Sequence, residues 1–143
     1  MVPKTTKTPK AGKTARYFEA VGRRKTAIAR VRVHAGKAGS HVEVNDKKFT
    51  EYFPMEKHRN VVVAPFETLS LKEYDVTAKV LGGGVGSQAE AIRLGIARAL
   101  VIMNPIWRSR LKTLGFLKRD PRMVERKKPG LRKARRPQQW RKR

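Results

Sequence analysis

The C-terminal segment 118–143 constrains this chain of 143 residues more than any other part of its sequence. It carries thirteen Lys or Arg against two acids, and three prolines interrupt it, Pro121, Pro129 and Pro137. Because so charged a segment has few apolar side chains to bury, it cannot offset the entropy of ordering and is predicted to be disordered when alone. The prolines also oppose a long helix. An extended basic tail of this kind needs a polyanion to lie against.

The whole chain has a formal net charge of +24 and an isoelectric point near 11.4. Residues 1–16 contribute +5, residues 17–117 contribute +8 and residues 118–143 contribute +11. Such self-repulsion opposes compaction unless counterions or a polyanionic partner screen it. Nucleic acid is the favoured partner, because binding to a membrane surface typically uses an amphipathic helix that the tail cannot form.

Several protein classes are excluded or disfavoured by what the sequence lacks. It has no cysteine, which excludes disulfides and zinc–thiolate sites and suits a reducing compartment. No apolar run approaches the ~18 residues that a membrane span requires. Residues 1–16 have no apolar stretch typical of a secretory signal. We therefore expect a flexible basic N-terminal arm on a cytoplasmic protein that has no membrane partner.

Alternation of apolar and polar residues predicts most of the sheet. Residues 27–33 alternate in this way, which predicts a strand with one buried face and one largely basic face. The glycine-containing turn at 36–39 then predicts a hairpin whose returning strand covers residues 41–45. Residues 74–81 alternate again and predict another strand. Between these strands, the mixed segment 47–71 indicates two short helical segments.

The clearest predicted helix covers residues 87–103. Ser87 and Glu90 have the spacing of a capping box at its start. Because apolar residues lie on two sides of this helix, it should be heavily buried and packed across the sheet. Pro105 is predicted to open a second short helix that Gly115 stops.

The order of these elements, strands first and then a strand with helices, predicts an α+β domain with a small sheet covered on one face. We place this domain at residues 17–117, between the arm 1–16 and the tail 118–143. About 100 residues are enough for a modest hydrophobic core.

The glycine run 82–86, between a predicted strand and a predicted helix, has three interpretations. The spacing Gly84-x-Gly86-x-x-Ala89 matches a dinucleotide fingerprint, but no acid for a ribose occurs between Glu90 and Asp120. A flexible turn whose glycines allow close packing is the simplest alternative. Amides at the helix start that hold an RNA phosphate are the third. We expect no nucleotide cofactor.

No enzyme motif or metal site is predicted. The three histidines, His34, His41 and His58, have neither metal-ligand spacing nor a partner nucleophile. The few carboxylates are scattered along the chain. We therefore expect a protein that is not an enzyme and that holds no cofactor or metal.

A basic bend is predicted at residues 22–25, after a possible strand over residues 17–21. Arg23, Arg24 and Lys25 alone would be an ordinary solvated turn. Together with the arginines on one face of the next strand, Arg30 and Arg32, they predict a patch that binds phosphate.

Four blocks in one order resemble the universal small-subunit ribosomal protein nine family in its bacterial type. They are GRRKTAIARVRV (22–33), GGGVGSQAEAIRLGIARAL (82–100), LKRDPRMVERKKPGLRKAR (117–135) and the terminal Lys142-Arg143. The similarity runs from about Tyr17 to Arg143. The combination is highly specific, although the glycine run alone is not.

The resemblance implies a small mixed sheet with a βαβ core, held on ribosomal RNA in the head of the small subunit. It also implies a tail that threads through RNA to the anticodon stem-loop of the tRNA in the peptidyl site. Twenty-six extended residues could span ~80 Å at ~3.3 Å each. The expected partners are small-subunit rRNA, this tRNA and neighbouring head proteins, and no homo-oligomer is expected.

The expected contact residues combine the resemblance with the basic strand face. The rRNA contacts are Arg23, Arg24, Lys25, Arg30, Arg32, Arg119, Arg122, Arg126, Lys127, Lys128, Arg132, Lys133, Arg135 and Arg136. The tRNA contacts are Arg141, Lys142 and Arg143.

The chain departs from the family pattern at two places. Gly86-Ser87-Gln88-Ala89 replaces the usual Ser-Gly-Gln-Ala, which still leaves a hydroxyl able to cap the helix. Arg141 stands where the family commonly has Ser, which adds charge beside the expected tRNA contact. Two other functions remain as alternatives: a free-standing architectural nucleic-acid-binding protein and a nucleotide-dependent enzyme.

Overall fold

The computed structural model describes residues 17–34, 39–140 and 142. Its strands are β1 (Phe18–Arg24), β2 (Ala27–His34), β3 (Ser40–Val44), β4 (Lys47–Lys48) and β5 (Tyr74–Leu81). Its helices are α1 (Phe49–Tyr52), α2 (Glu56–Thr68), α3 (Val85–Met103), a 3₁₀ helix (Pro105–Trp107) and α4 (Arg108–Thr113). The predicted α+β fold is confirmed, with a five-stranded mixed sheet. The predicted arm 1–16 and most of the predicted turn, residues 36–38, lie outside the described residues.

The sheet has the strand order β1-β2-β5-β3-β4, so the predicted hairpin between β2 and β3 is wrong. β5 lies between these strands: it pairs antiparallel with β2 and parallel with β3. Alternation identifies the buried face of a strand but not its neighbour, and both edges of β5 need hydrogen-bond partners. The path from β3 through α1 and α2 to β5 forms the βαβ unit that the resemblance implies.

The observed hairpin is formed by β1 and β2, which pair antiparallel along their length. Lys25 and Thr26 form its turn, and Lys25 has a positive φ of 49°. The predicted bend at 22–25 therefore begins too early, because Arg23 and Arg24 still belong to the strand. Since successive strand residues face opposite sides of a sheet, these two arginines point in opposite directions.

Helix α3 packs across the inner face of β1 and β2 and, on its other side, against α2. Two glycines make the contact with the sheet unusually close. A Cβ on Gly22 would lie 1.8 Å from the carbonyl oxygen of Ala91, and one on Gly95 would lie 2.6 Å from Cγ2 of Val31. The predicted burial of α3 on two sides is confirmed by its fully buried residues, which include Ile92, Ile96 and Leu100.

The predicted capping box at the start of α3 is wrong. The helix begins at Val85 with Gly84 as its N-cap, and no side chain caps it. Ser87 therefore lies inside the first turn, where its hydroxyl is too far along the helix to cap the first amides. The Glu90 carboxylate instead pairs with Arg24 of β1.

The glycine run before α3 forms a turn, and the close packing predicted for its glycines is confirmed at Gly82 and Gly83. Gly82 and Gly83 have positive φ values of 69° and 67°, a conformation that favours glycine. A Cβ on Gly82 would lie 2.8 Å from the carbonyl oxygen of Thr26, and one on Gly83 would lie 2.8 Å from Cβ of Ala27. The side-chain amide of Gln88 donates a hydrogen bond to the Gly82 carbonyl at 3.1 Å.

The short helix predicted after Pro105 is confirmed as the 3₁₀ helix and α4. The Asn104 side chain caps its start by accepting a hydrogen bond from a backbone amide. Gly115 follows α4 with a φ of 74°, as predicted for a helix stop. Phe116 and Leu117 then pack against the core, so the chain leaves the domain surface after them.

Candidate nucleic-acid interface

The sheet face opposite α3 carries cations from three strands. Arg23 of β1, Arg30 and Arg32 of β2 and Lys79 of β5 all belong to this face, and Arg23, Arg30 and Lys79 are exposed. The register places Arg30 directly opposite Lys79. Like charges opposite one another on paired strands destabilise a sheet, so this row favours an anionic partner.

Glu19 offsets part of the positive charge on this face. Its carboxylate accepts a hydrogen bond from Arg32 Nε at 2.8 Å, and its second oxygen lies 3.7 Å from Arg30 Nε. The Arg32 guanidinium also lies 4.7 Å from the ring centre of Tyr17. The hydrogen bond and the negative charge of Glu19 raise the pKa of Arg32. Arg32 is thus held in place, whereas Arg30 is bound more loosely.

A small cavity of about 140 Å³ lies on the same face. Its charged lining residues are Arg30, Arg32, Lys79, Glu43 and Asp46. Three cations face two carboxylates there, so the cavity keeps a positive balance. The structure places Arg30 and Arg32, which were predicted to bind phosphate, together with Lys79 around one concave surface.

Arg24 lies on the opposite side of β1 from Arg23, and its side chain is only 12% exposed. It pairs with Glu90 of α3, and its Nη2 lies 3.0 Å from Oδ2 of Asp120 at the start of the tail. Its Nη1 donates a hydrogen bond to the carbonyl oxygen of Arg122 at 2.7 Å. These bonds connect a strand, a helix and the tail through a single guanidinium.

Asp120 is the second point of this connection. Its carboxylate accepts hydrogen bonds from the side chain of Arg122, at 2.8 and 3.1 Å, and from the Arg122 backbone amide, at 2.9 Å. These hydrogen bonds, with the charge of Arg24, hold the pKa of Asp120 well below its usual range. The same pairing raises the pKa of Arg122. The start of the tail is therefore fixed to the domain by ionised groups.

Farther along, the tail is not continuously extended. Residues 119–128 belong to no helix or strand, but Gly130 has a φ of 76° and Leu131 forms an isolated bridge with Pro137. Glu125 stabilises this loop, because its carboxylate pairs with Lys128 at 3.1 Å and with Arg135 at 2.8 Å. The tail therefore reaches less far than the span calculated for full extension.

Most cations of the tail are exposed and have no acidic partner within the part of the chain that the structure describes. They are Lys118, Arg119, Arg126, Lys127, Arg132, Lys133, Arg136 and Lys142. Unpaired exposed cations on an irregular backbone are free to follow a phosphate chain and release its counterions. Of the expected tRNA contacts, Lys142 is exposed, and Arg141 and Arg143 lie outside the described residues.

The described residues contain no group of three acids and histidines placed to hold a metal ion. Within the same residues, no helix is both long and apolar enough to cross a membrane.

Sequence reasoning missed three cations that the structure brings into these surfaces. The alternation in β5 could have placed Lys79 on the basic face, because the buried set includes Val76, Ala78 and Val80. Lys118 was included in the net charge of the tail but was not predicted to contact RNA. Arg93 gave no signal, since it lies among the apolar residues of α3, yet it lines a cavity at the start of the tail.

Comparison with known protein families identifies the chain over most of its length. A family model described as ribosomal protein S9/S16 matches residues 22–143. The match includes β1 from Gly22 onward, β2, β5, α3 and the whole tail, and these parts carry the cations of the basic surfaces described above. The chain therefore belongs to the ribosomal protein S9/S16 family, a family of structural, RNA-binding proteins of the small ribosomal subunit.

Proposed function

We propose that the domain is anchored on small-subunit rRNA by two basic surfaces and that the tail ends at the tRNA in the peptidyl site. The observation that carries this proposal is the row of exposed, unpaired tail cations that follows an ionically fixed start. A tail fixed at Asp120 has a defined origin, so its cations can follow one RNA path.

The first rRNA-binding surface is the open face of the sheet. Arg23, Arg30 and Lys79 present exposed cations, and Arg32, paired with Glu19, lies beside them. Lys25, exposed in the turn between β1 and β2, extends this surface past the end of the strands. Arginine suits such contacts because its planar fork can bind a phosphate through two hydrogen bonds.

The second rRNA-binding surface is the tail from Arg119 to Arg136. Its exposed cations bind phosphate directly, whereas Lys128 and Arg135, paired with Glu125, hold the loop in shape. Arg24 was expected to contact RNA, but its burial and its three partners favour a different role. We assign Arg24 to fixing the tail on the domain, whereas the pairing of Arg122 with Asp120 holds the start of the tail in shape.

The last residues, Arg141, Lys142 and Arg143, are proposed to contact the anticodon stem-loop of peptidyl-site tRNA. Support comes from the sequence similarity of the terminus and from the exposure of Lys142. The protein would act in the cytoplasm without catalysis, beside neighbouring proteins of the subunit head and as a single copy.

Ribosomes that carry the chain without residues 141–143 test the tRNA contact. We expect normal subunit assembly, weaker tRNA binding at the peptidyl site and poorer maintenance of the reading frame. A matched control neutralises three upstream tail cations instead, Arg126, Lys127 and Arg132, each to Gln. Assembled control ribosomes should bind this tRNA normally. Equal tRNA affinity for wild-type and truncated ribosomes would contradict the proposed contact.

A further inference from the structure

A second and larger cavity, of about 380 Å³, lies where the tail leaves the domain. Its charged lining residues are Arg93 of α3 and Lys118, Arg119, Asp120 and Arg122 of the tail. Helix and tail thus face each other across a space that neither fills. The cavity on the open sheet face is separate from it, since residues of β2, β3 and β5 and Asp46 line that cavity.

Arg93 is the unusual residue of this cavity. Its Nε is shielded from solvent and has no hydrogen-bond partner among the described residues. Its guanidinium carbon lies 5.4 Å from the ring centre of Phe116, a cation–π contact that helps to hold the side chain in place. A buried donor that lacks an acceptor is costly, by about 1–3 kcal/mol in general. Arg93 as a whole is only partly buried and lines the cavity, so an anion that enters from solvent can reach its guanidinium group.

The carboxylate that lines the cavity does not supply this acceptor. Asp120 is already bonded to the Arg122 side chain and backbone amide and to Arg24. Lys118, Arg119 and Arg93 have no acidic partner among residues 17–34, 39–140 and 142. The cavity therefore keeps an uncompensated positive charge, although an acid contributes to its lining.

We propose that this cavity binds one phosphate group through Arg93, Lys118 and Arg119. The planar guanidinium groups match the oxygens of a phosphate, and Lys118 adds a compact positive charge. The volume exceeds the ~30 Å³ that one water occupies in the liquid by enough to admit a phosphate with part of its attached sugar. The assignment of this phosphate to an RNA backbone rests on the proposed function. The ability of the cavity to bind a phosphate group does not depend on that function.

A phosphate bound there would join α3 to the start of the tail. The tail would then be held at two points, by the Arg24–Asp120 pair within the protein and by the bound phosphate. RNA binding would in this way set the direction in which the tail leaves the domain.

The test follows the Nε–Hε resonances of Arg93 and Arg110 in the full-length chain during titration with inorganic phosphate. Arg110 is an exposed cation of α4 that has no ion pair within the described residues, so it reports non-specific association. Sodium chloride at matched ionic strength corrects for screening. We expect the Arg93 resonance to shift and saturate at phosphate concentrations at which Arg110 still responds linearly. Parallel, unsaturated responses of the two resonances would overturn the site.

RNA binding is the second arm of the test, with the variants Arg93→Gln and Arg110→Gln, which lose the same charge. Arg93→Gln should lower the affinity for small-subunit rRNA about three- to tenfold more than Arg110→Gln, and should reduce the salt slope by about 0.7–0.9, the value for one phosphate contact. Equal losses for the two variants would overturn the assignment of the phosphate to RNA.

The two arms separate the cavity from the proposed function. If the wild-type chain failed to bind rRNA, the proposed function would fail, yet the saturation of Arg93 by inorganic phosphate would still decide whether the cavity is a phosphate site. If Arg93→Gln does not fold, the resonance of Arg93 in the wild-type chain in complex with rRNA replaces it. A shift in the direction seen with inorganic phosphate supports the site, and an unchanged resonance overturns the RNA assignment.

Discussion

Arg24 at the end of β1 and Asp120 at the start of the tail form an ion pair, with Nη2 and Oδ2 separated by 3.0 Å. Ninety-six positions separate them in the chain, and Arg24 also binds Glu90 of α3. A tail that composition alone describes as a disordered polycation is thereby given a fixed origin. Its later cations stay exposed because the few acids nearby are already paired.

The first prediction concerns Asp120→Asn, which keeps the size of the side chain and removes its charge. We expect residues 118–122 to become more mobile, because both Arg24 and Arg122 lose an ionic partner. Backbone ¹⁵N relaxation at neutral pH would measure this as lower order parameters for these residues. Asp46→Asn, in the exposed turn before β4, is the matched control and should leave them unchanged. Unaltered order parameters in Asp120→Asn would show that the pair does not fix the tail.

The same pair predicts how the tail responds to pH. The pKa of Asp120 is lowered in the folded chain, so its stabilising contribution is fully present above the ordinary Asp pKa of ~3.9. It is lost only as the pH falls through the lowered value. The attachment should therefore be constant between pH 5 and 8 and weaken only in strong acid.

The side-chain carboxyl ¹³C shift of Asp120 measures this titration. Its midpoint in the wild-type chain should lie below the ordinary Asp value of ~3.9, and Arg122→Gln should move it upward, toward that value. A wild-type midpoint at or above the ordinary value would disprove the pairing.

The close contact of α3 with the sheet predicts different effects of two glycine substitutions. Gly22→Ala would place Cβ 1.8 Å from the carbonyl oxygen of Ala91, so helix and strand must separate. Gly95→Ala meets a side chain, that of Val31, and also gains about 1 kcal/mol of helix propensity. We expect Gly22→Ala to lower the free energy of unfolding by about 3 kcal/mol, at the upper end for overpacking, and Gly95→Ala by less.

Urea denaturation of the two variants measures this difference. Gly84→Ala is the control, because a Cβ there meets nothing within 4 Å, and it should change stability much less than Gly22→Ala. If the Gly22→Ala variant were as stable as the Gly84→Ala control, the close contact between Gly22 and the Ala91 carbonyl oxygen would be ruled out.

Local signals in the sequence predicted the elements, whereas partners distant in the chain escaped prediction. Alternation over 27–33 identified β2 and its basic face, because a half-buried strand has a period of two. The position of β3 beyond β5 could not be read in the same way, since pairing depends on residues more than thirty positions apart. The alternation within β1 could have separated Arg23 from Arg24, but the local charge favoured a bend.

The candidate site shows the same division. Composition predicted the exposed cations of the tail, because the charge of a side chain follows from its residue type and does not depend on distant residues. The Arg24–Asp120 pair and the loop held by Glu125 depend on how distant residues meet. Arg93 gave no signal for the same reason: its cavity exists only after the tail folds against α3.

Removing the charge of Glu19 is expected to raise the affinity of the open sheet face for rRNA. Glu19→Gln removes the carboxylate that pairs with Arg30 and Arg32 and leaves a side chain of the same shape. We expect a few-fold higher affinity for small-subunit rRNA at low salt, because two arginines then face phosphate without a competing anion.

Filter binding of Glu19→Gln across a range of salt concentrations would measure the gain. Glu73→Gln, which removes an exposed acid just before β5 and outside the sheet face, is the control and should have little effect. Weaker binding by Glu19→Gln would contradict this expectation. It would mean that Glu19 holds Arg32 in the orientation that binds RNA, and that losing this orientation lowers the affinity more than removing the repulsion between Glu19 and phosphate raises it.

The salt dependence of rRNA affinity tests the central claim, that the exposed tail cations lie on RNA phosphates. The decisive variant replaces Arg126, Lys127, Arg132, Lys133 and Arg136 with Gln in the full-length chain. Its control replaces five domain cations that have no ion pair among the described residues, Lys57, Lys72, Arg108, Arg110 and Lys112. Five phosphate contacts predict a decrease of about 4 in the slope of log affinity against log salt for the tail variant, and a clearly smaller decrease for the control. Equal slopes for the two variants would contradict the account.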